Sequence, residues 1–199
     1  MGATARLGVV GGSFDPPHVA HLAIASEAFH ALGLERVLFV PAAAPPHKGG
    51  GERTPAGVRL ELTSLALDDD LRFTVSGVEI ERGLSYTADT LRALGARYPD
   101  RELVFIIGSD SLLQLETWHA PEELLSLCSL AVAPRPGDSP EAIAAAAARW
   151  GDRQVGVLDA PLLAISSTEI RARVAAHRPI RYLVPRRVEE YILETGLYR

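Results

Sequence analysis

Residues 7 to 21 read LGVVGGSFDPPHVAH, and this stretch decides the fold. The apolar run Leu7–Val10 is typical of a buried parallel strand, and Gly11 and Gly12 let the backbone turn sharply beside a ligand. The residues that follow, Val19–Leu32, have the pattern of a helix. A strand, a glycine turn and a helix in this order place free backbone N–H groups where a phosphate can bind.

Two histidines, His18 and His21, lie at the predicted start of this helix. Their spacing puts both imidazoles on one helical face, so they can contact the same phosphate oxygens beside the positive end of the helix dipole. An HxxH pair is also found in zinc sites, but no third ligand lies at a helical spacing and Asp15 precedes the helix. The stretch also lacks the third glycine of the dinucleotide fingerprint and the Gly-Lys-Ser/Thr of a P-loop. The pair therefore favours a phosphate site without a metal.

Composition limits the classes of protein that the chain can be. Its 199 residues, 47% of them hydrophobic, suffice for one α/β domain over residues 1–199 with a sizeable core. The net charge of −5 argues against a nonspecific nucleic-acid surface, so an anionic nucleotide would need a local basic site. No segment approaches the roughly 20 apolar residues of a membrane span, and no signal-peptide pattern is present. We therefore expect a cytoplasmic protein that contacts neither membrane nor nucleic acid.

The single cysteine, Cys128, excludes an internal disulfide framework. It lies in the apolar run Leu127–Ala133, which is typical of a strand. We therefore interpret Cys128 as a buried structural thiol and not as a nucleophile.

Strands and helices alternate along the whole chain. The predicted strands after the first are residues 36–40, 72–80, 102–107, 129–133 and 154–158. The predicted helices after the first are residues 55–67 capped by Thr54, 87–97 capped by Thr87, 141–150, 166 onward and 185–194. Repeated β-then-α units predict an α/β, Rossmann-like doubly wound, mostly parallel sheet with helices on both faces. Ligands of such sheets bind at the carboxyl ends of the strands, near the topological switch point.

Two further segments carry groups suited to phosphates. Ser166, with Glu169 three residues later, has the pattern of a capping box that opens a helix carrying Arg171. A serine-rich helix N-terminus with an arginine one turn later can bind a triphosphate. The loop Pro41–Arg53 is rich in proline and glycine, and we interpret it as a mobile arm that carries Lys48.

The stretch at residues 11–21 resembles the HxGH signature of the nucleotidyltransferase superfamily, and its GGSFDP start is similar to the bacterial nicotinate-nucleotide adenylyltransferase branch. Other motifs match that branch in the same order. They are PPHK at residues 45–48, SYTADTL at 85–91, FIIGSDSLL at 105–113 with Trp118 after it, ISSTEIR at 165–171, and GLYR at 196–199. The resemblance therefore extends from Gly11 to the last residue.

This resemblance implies transfer of AMP from ATP to nicotinate mononucleotide, which gives deamido-NAD and pyrophosphate in NAD biosynthesis. The implied catalytic residues are His18, His21, Lys48 and Arg171. The implied ATP-binding residues are Gly11, Gly12, Ser13, Phe14, Gly108, Asp110, Ser166 and Ser167. The implied nicotinate mononucleotide-binding residues are Thr87, Trp118 and His119. Magnesium is expected to arrive with ATP and to have few direct protein ligands, and the oligomeric state is left open.

Three positions depart from the pattern of the resembled branch. Ala20 replaces the glycine of HxGH, Ser13 replaces the commoner threonine, and His119 stands where tyrosine is more usual. Ser13 preserves a hydroxyl, and no departure removes a charged catalytic group. His119 leaves the packing of a pyridine ring at that position open.

Two alternative functions remain at the level of sequence. Phosphopantetheine adenylyltransferases share the histidine pair and an ISST-type helix, but the SYTADTL motif and the Trp118 segment disfavour that activity. A noncatalytic nucleotide-binding regulatory protein could keep the fold without turnover. The joint presence of His18, His21, Lys48 and Arg171 argues against it.

Overall fold

The computed structural model describes residues 4–43, 54–68, 70–84, 86–151 and 155–199. Its strands are β1 (Ala5–Gly12), β2 (Arg36–Pro41), β3 (Phe73–Val75), β4 (Arg101–Gly108), β5 (Ser129–Ala133) and β6 (Val155–Val157). They pair in parallel in the order β3-β2-β1-β4-β5-β6. This is the strand order of a doubly wound sheet, with the switch point between β1 and β4. The predicted fold class is confirmed.

The helices are α1 (Val19–Ala31), α2 (Ala56–Leu67), α3 (Val78–Arg82), α4 (Thr87–Arg97), α5 (Ser109–Leu113), α6 (Pro121–Leu127), α7 (Pro140–Trp150), α8 (Ser167–Ala175) and α9 (Arg186–Thr195). A single 3-10 turn at Leu115–Thr117 lies between α5 and α6. None of the helices in the described ranges is long and apolar enough to cross a bilayer.

Both faces of the sheet are buried, as successive side chains of the central strands show. In β4, Phe105 belongs to one apolar cluster, whereas its neighbours Val104 and Ile106 belong to the cluster on the other face. Val9 and Val10 of β1 divide between the two clusters in the same way. Strands that are buried on both faces read as continuous apolar runs, which explains why the sequence of β1 and β4 has no polar alternation. A third cluster joins α2, α8 and α9.

The predicted extended segment 72–80 is wrong beyond Val75, because α3 begins at Val78. Gly77 precedes this short helix, acidic Glu79 lies in its first turn, and Gly83 ends it at a φ of 64°. A negative charge early in a helix and a left-handed glycine after it both stabilise a helix. Here they outweigh the preference of the β-branched residues in this segment for a strand.

Two predicted helix caps are also wrong. The N-cap residue of α2 is Pro55 instead of Thr54, and that of α4 is Tyr86 instead of Thr87. Neither helix has a side-chain cap hydrogen bond. Thr87 is the first helical residue of α4, so its hydroxyl is not occupied with capping.

The interpretation of Cys128 as a buried thiol is confirmed. It directly precedes β5, is 8% exposed and donates to the carbonyl oxygen of Leu124 at 3.4 Å. Burial raises the pKa of this thiol to about 12. The reactive thiolate is therefore scarce at neutral pH.

Candidate active site

Two adjoining clefts open at the carboxyl ends of β1 and β4, where the strand order reverses. They share a floor made by Gly11 and Gly12 at the end of β1 and by Ser13 after it, together with Phe105 and Trp118. The larger cleft has a volume of about 400 Å³ and the smaller one about 200 Å³. Two ligands bound in them would meet over the glycine pair at the end of β1.

The larger cleft gathers most of the residues that the sequence assigned to ATP. Those in its lining are Gly11, Gly12, Ser13, His18, His21, Gly108, Asp110, Ser166, Ser167 and Arg171. They come from the end of β1, the start of α1, the end of β4 and the start of α8. The fold therefore joins segments that are more than 150 residues apart, as between Asp15 and Arg171, which are 156 residues apart.

The histidine pair has a structural role besides any chemical one. His18 is the N-cap residue of α1, and its backbone N–H donates to Nδ1 of His21 at 3.1 Å. The two rings stack with centroids 3.7 Å apart and an interplanar angle of 23°. Because Nδ1 of His21 accepts this bond, the proton of the neutral ring lies on Nε2, the form that donates to a phosphate oxygen.

His18 is unusually buried for a polar residue, at 5% exposure. Burial, and secondarily the charge of Arg135, lower its pKa from 6.5 to about 4. Its Nδ1 is buried and has no hydrogen-bond partner among the described residues. His18 is thus neutral at pH 7 in the free protein, and a bound phosphate would favour its protonated form.

Phe14 lies in the core and supports the histidines from below. Its side chain is 1% exposed, with its ring 5.1 Å from that of His21 in an edge arrangement and 5.7 Å from that of Phe39. Its φ is 47°, a left-handed value that turns the chain after the glycine pair. The side chain of Phe14 therefore packs against the His21 ring, and the assignment of Phe14 to ATP binding stays a prediction.

The N-terminus of α8 is tied to the loop that follows β1. Ser167 Oγ donates to the carbonyl oxygen of Pro16 at 2.8 Å, and Arg171 Nη1 donates to that of Asp15 at 2.7 Å. Ser166 Oγ accepts from the N–H of Glu169 at 3.1 Å, which confirms Ser166 as the cap. The Glu169 side chain pairs with Arg173 at 3.0 Å instead of completing the capping box.

Gly108 at the end of β4 lies directly against an ion pair. Asp110 Oδ1 and Arg135 Nε are 2.8 Å apart, and a Cβ on Gly108 would collide with that Asp110 oxygen and lie 2.5 Å from the Arg135 nitrogen. Arg135 lines the larger cleft but was not predicted from the sequence. The sequence feature that could have identified Arg135 is its position as the first basic residue after β5, at the carboxyl edge of the sheet.

The smaller cleft contains all three residues that the sequence assigned to the pyridine nucleotide, namely Thr87, Trp118 and His119. The His119 ring stacks on Tyr86 with centroids 4.2 Å apart, and Trp118 meets Phe105 edge-on at 6.3 Å. Flat aromatic walls of this kind suit a planar ring. The histidine at position 119 therefore takes part in an aromatic wall.

Glu79 is a partly buried carboxylate in the wall of the smaller cleft and was not predicted. It accepts from the hydroxyl of Thr90 at 2.8 Å and from the N–H of Ala43 at 3.3 Å. Burial raises its pKa above the usual value, and the charge of Arg59 opposes this effect.

Arg59 in α2 is 4% exposed and joins the segments that follow β1 and β2. Its guanidinium donates to the carbonyl oxygens of Ser13 at 2.8 Å and of Ala42 at 2.6 Å. A third bond, from Nε to the carbonyl oxygen of Thr54, is 3.1 Å long. Arg59 thereby fixes the backbone that forms the floor of both clefts.

Two parts of the predicted site are not covered. Lys48, with the PPHK motif, and Ser85 of the SYTADTL motif lie outside the described residues. Within the described ranges, no group of three or more His, Cys, Asp or Glu residues could hold a metal ion.

Comparison with known families and sequences gives a consistent result. The family model described as cytidylyltransferase-like matches residues 9–173. A protein of Desulfitobacterium hafniense is 44% identical over 198 residues, which are 98% of this chain and 96% of that protein. One of Thermomicrobium roseum is 46% identical over 98% of this chain and 92% of that protein. Both carry the name "Probable nicotinate-nucleotide adenylyltransferase".

Solved structures show the same fold. The Plasmodium falciparum nicotinic acid mononucleotide adenylyltransferase complexed with NaAD superposes with a TM-score of 0.81 at 19% identity. The alignment covers 98% of this chain and 97% of that one. The same protein complexed with APC gives a TM-score of 0.79 at 18% identity. At sequence identities this low, the comparison shows similarity of the fold alone.

Proposed function

The chain belongs to the nicotinate-nucleotide adenylyltransferases of the cytidylyltransferase-like family, and on that premise we propose how its two clefts perform the reaction. The enzyme transfers AMP from ATP to nicotinate mononucleotide, giving deamido-NAD and pyrophosphate in NAD biosynthesis. ATP binds in the larger cleft and nicotinate mononucleotide in the smaller one. The reacting phosphates then meet over Gly11, Gly12 and Ser13, the residues common to both.

The reaction needs positioning more than proton transfer. A 5′-phosphate oxygen of nicotinate mononucleotide forms a bond to the α-phosphorus of ATP, and the bond from that phosphorus to the oxygen of pyrophosphate breaks. The attacking phosphate is already ionised at pH 7, so no general base is required. The protein must instead align two anions and stabilise the charge that develops on the α-phosphate.

The residues of the larger cleft supply that stabilisation. His21 donates from Nε2, and His18 becomes a stronger donor when the bound phosphates favour its protonated form. Arg171 binds the triphosphate together with the serine-rich start of α8, where backbone N–H groups are also free to donate. Lys48 contributes a further charge from the segment after β2. Asp110 accepts from the ribose hydroxyls, and Gly108 allows close approach of the adenosine.

The residues of the smaller cleft recognise the pyridine nucleotide. Trp118 and the stacked pair of Tyr86 and His119 enclose the ring. The Thr87 hydroxyl, which does not serve as the cap of α4, donates to the carboxylate of the acid. The backbone N–H of Trp118 already donates to the carbonyl oxygen of Leu115 at 3.0 Å, so the further donor in this proposal is the backbone around His119, which an amide would leave unpaired.

Nucleotidyltransferases of this kind use a divalent metal with ATP, and we take magnesium to be that metal. The carboxylates beside the larger cleft are already engaged, since Asp110 pairs with Arg135 and Asp15 accepts from Tyr198. These contacts fit an ion that is held by phosphate oxygens and water with few protein ligands. When bound, such an ion would supply positive charge to the leaving pyrophosphate.

The chain works in the cytoplasm, in this proposal, as a single domain over residues 1–199. Its substrates there are two soluble nucleotides, and a surface with a net charge of −5 does not favour binding to nucleic acid.

The observation that carries the proposal is the meeting of two clefts of different chemistry over the glycine pair that ends β1. The test is a product assay with ATP and three acceptors: nicotinate mononucleotide, its amide, and phosphopantetheine. We expect pyrophosphate release and deamido-NAD with the acid. Turnover with phosphopantetheine alone would establish the other adenylyltransferase activity. ATP binding without any product would indicate a regulatory protein.

A further inference from the structure

The C-terminal turn reaches back to the phosphate loop. Helix α9 ends at Thr195, and Gly196 and Tyr198 both have left-handed backbones, with φ values of 71° and 68°. These two turns bring the Tyr198 hydroxyl to Asp15, which lies 183 residues earlier in the chain, and the hydroxyl donates to Asp15 Oδ1 at 2.7 Å. A tyrosine in left-handed backbone is uncommon, so the surrounding contacts must stabilise it.

The Tyr198 hydroxyl acts as a hydrogen-bond donor to Asp15. Its ring packs against the apolar cluster of α2, α8 and α9. Burial and the neighbouring Asp15 raise the pKa of the phenol far above its usual value. Tyr198 therefore keeps its proton at neutral pH and donates it to Asp15.

Asp15 is the group through which Tyr198 can affect the site. Its side chain is 13% exposed, and its second oxygen, Oδ2, lies 4.0 Å from Nη1 of Arg171. The same Arg171 nitrogen donates to the backbone oxygen of Asp15 at 2.7 Å. A buried carboxylate that loses one partner gains most by moving toward the nearest cation, which here is Arg171.

We propose that Tyr198 is a positioning residue for ATP. Its hydroxyl binds one oxygen of Asp15, holds that carboxylate short of direct contact with Arg171, and so keeps the Arg171 guanidinium directed at the triphosphate. This inference rests on the proposed function, because it assumes that Arg171 binds ATP. It gives the last residues of the chain a role in substrate binding that is separate from their packing.

The test compares Tyr198→Phe with Tyr191→Phe. Tyr191 also donates its hydroxyl to a carboxylate, Glu61 Oε2 at 3.0 Å, but on the exposed surface of α9. Both variants remove one oxygen and keep the ring. We expect Tyr198→Phe to raise the KM for ATP, and the Kd for ATP by calorimetry, about tenfold, the lower end for a bond to a charged group. The KM for nicotinate mononucleotide should change less than twofold, and Tyr191→Phe should match the wild type.

A double variant separates positioning from stability. In Asp15→Asn/Tyr198→Phe the side chain at position 15 is neutral and cannot pair with Arg171, so the Kd for ATP should return toward the wild-type value. If the role of Tyr198 is purely structural, Tyr198→Phe should lower the melting temperature and should not raise the KM for ATP more than the KM for nicotinate mononucleotide. Equal ATP affinity in Tyr198→Phe and the wild type would overturn the inference.

The binding measurement also keeps this inference distinct from the proposed function. Calorimetry with ATP needs no acceptor and no turnover, so it compares the variants even if the wild type makes no deamido-NAD. Failure of the wild type to form product refutes the proposed function. Failure of Tyr198→Phe to weaken ATP binding refutes only the role of Tyr198.

Discussion

His18 and His21 are joined twice, by a ring stack with centroids 3.7 Å apart and by the bond from the His18 backbone N–H to Nδ1 of His21. The same two residues thus begin α1 and line the larger cleft. A helix cap and a phosphate contact are different functions of one imidazole. They can be separated, because an asparagine oxygen can accept the capping bond but cannot replace the ring nitrogen.

We predict that His21→Ala and His21→Asn lose similar turnover but differ in stability. Each should reduce kcat by about 10²-fold or more, the scale for loss of one transition-state donor. His21→Ala should also lose about 1 kcal/mol in the free energy of unfolding, whereas His21→Asn should keep most of it. Steady-state kinetics and urea denaturation measure both quantities. Turnover near the wild-type rate in His21→Asn would limit His21 to capping.

The titration of His18 should contribute to the pH dependence of the free energy of unfolding. The unfolded chain binds a proton at His18 as the pH falls through about 6.5, whereas in the folded protein His18 has a pKa of about 4. The unfolded state therefore holds more protons in this window, so the free energy of unfolding decreases as the pH falls from 6.5 to 4. The full shift corresponds to about 3 kcal/mol.

His18→Asn tests this component, because it removes the titrating group and no other. The difference in unfolding free energy between the wild type and His18→Asn should be constant above pH 7. It should move in favour of the variant by up to about 3 kcal/mol as the pH approaches 4. A difference that is independent of pH would show that His18 titrates normally in the folded protein.

Much of the fold could be predicted because its signals are local. The run of β1 and the helix α1 follow from consecutive residues, and the Ser166 cap is visible within four residues. The histidine pair is detectable for the same reason, since i, i+3 spacing is a local property. The predicted turn at Gly11 and Gly12 is wrong, because β1 continues through Gly12 and the left-handed residue is Phe14. The resemblance then supplied roles that no periodicity could give.

The helices that the sequence did not predict are too short to show a periodicity. The residues that it did not predict owe their roles to contacts with residues far away in the sequence. Helices α3 and α5 have five residues each, fewer than two turns, so their periodicity cannot be read. Arg59 looks like an ordinary helix residue until the fold brings it to Ser13, 46 positions earlier. Phe14 adjoins phosphate-binding residues in sequence, yet its left-handed backbone turns its side chain into the core.

Gly108→Ala should impair ATP use and leave the fold intact. The added methyl group would displace the Asp110 and Arg135 side chains, which are flexible ends and not backbone. We expect the KM for ATP to rise about tenfold, equal to about 1.4 kcal/mol of binding free energy. Gly95→Ala in α4 is the matched control, since nothing lies within 4 Å of a Cβ at that position. An unchanged KM in Gly108→Ala would mean that the Asp110–Arg135 pair does not contact adenosine.

Arg59→Lys should weaken both substrate sites together, because Arg59 holds the floor they share. Lysine keeps the charge but cannot reach the carbonyl oxygens of Ser13, Ala42 and Thr54 with one planar group. We expect a loss of about 2 kcal/mol in unfolding free energy and higher KM values for both nucleotides. Arg92→Lys, at exposed ion pairs with Asp89 and Glu123, should leave both stability and kinetics close to those of the wild type. Equal behaviour of the two variants would refute the role of Arg59.

The last prediction concerns the choice between the acid and the amide form of the pyridine nucleotide. Backbone N–H groups and the Thr87 hydroxyl all donate, so they match a carboxylate and leave donors unpaired opposite an amide NH₂. An unsatisfied buried polar group costs about 1–3 kcal/mol, and bonds to a charged acceptor are stronger than neutral ones. We therefore expect kcat/KM to favour the acid by about 10²-fold or more in the wild type.

Thr87→Val tests whether the hydroxyl contributes to that choice. The variant keeps the shape of the side chain, and α4 has no side-chain cap hydrogen bond to lose, so its stability should change little. The preference for the acid should fall about tenfold, because one donor to the carboxylate is removed. Thr195→Val, which removes a hydroxyl bonded to the Tyr191 carbonyl at the end of α9, is the control and should keep the wild-type ratio. If Thr87→Val also keeps it, the backbone around His119 alone distinguishes the acid from the amide.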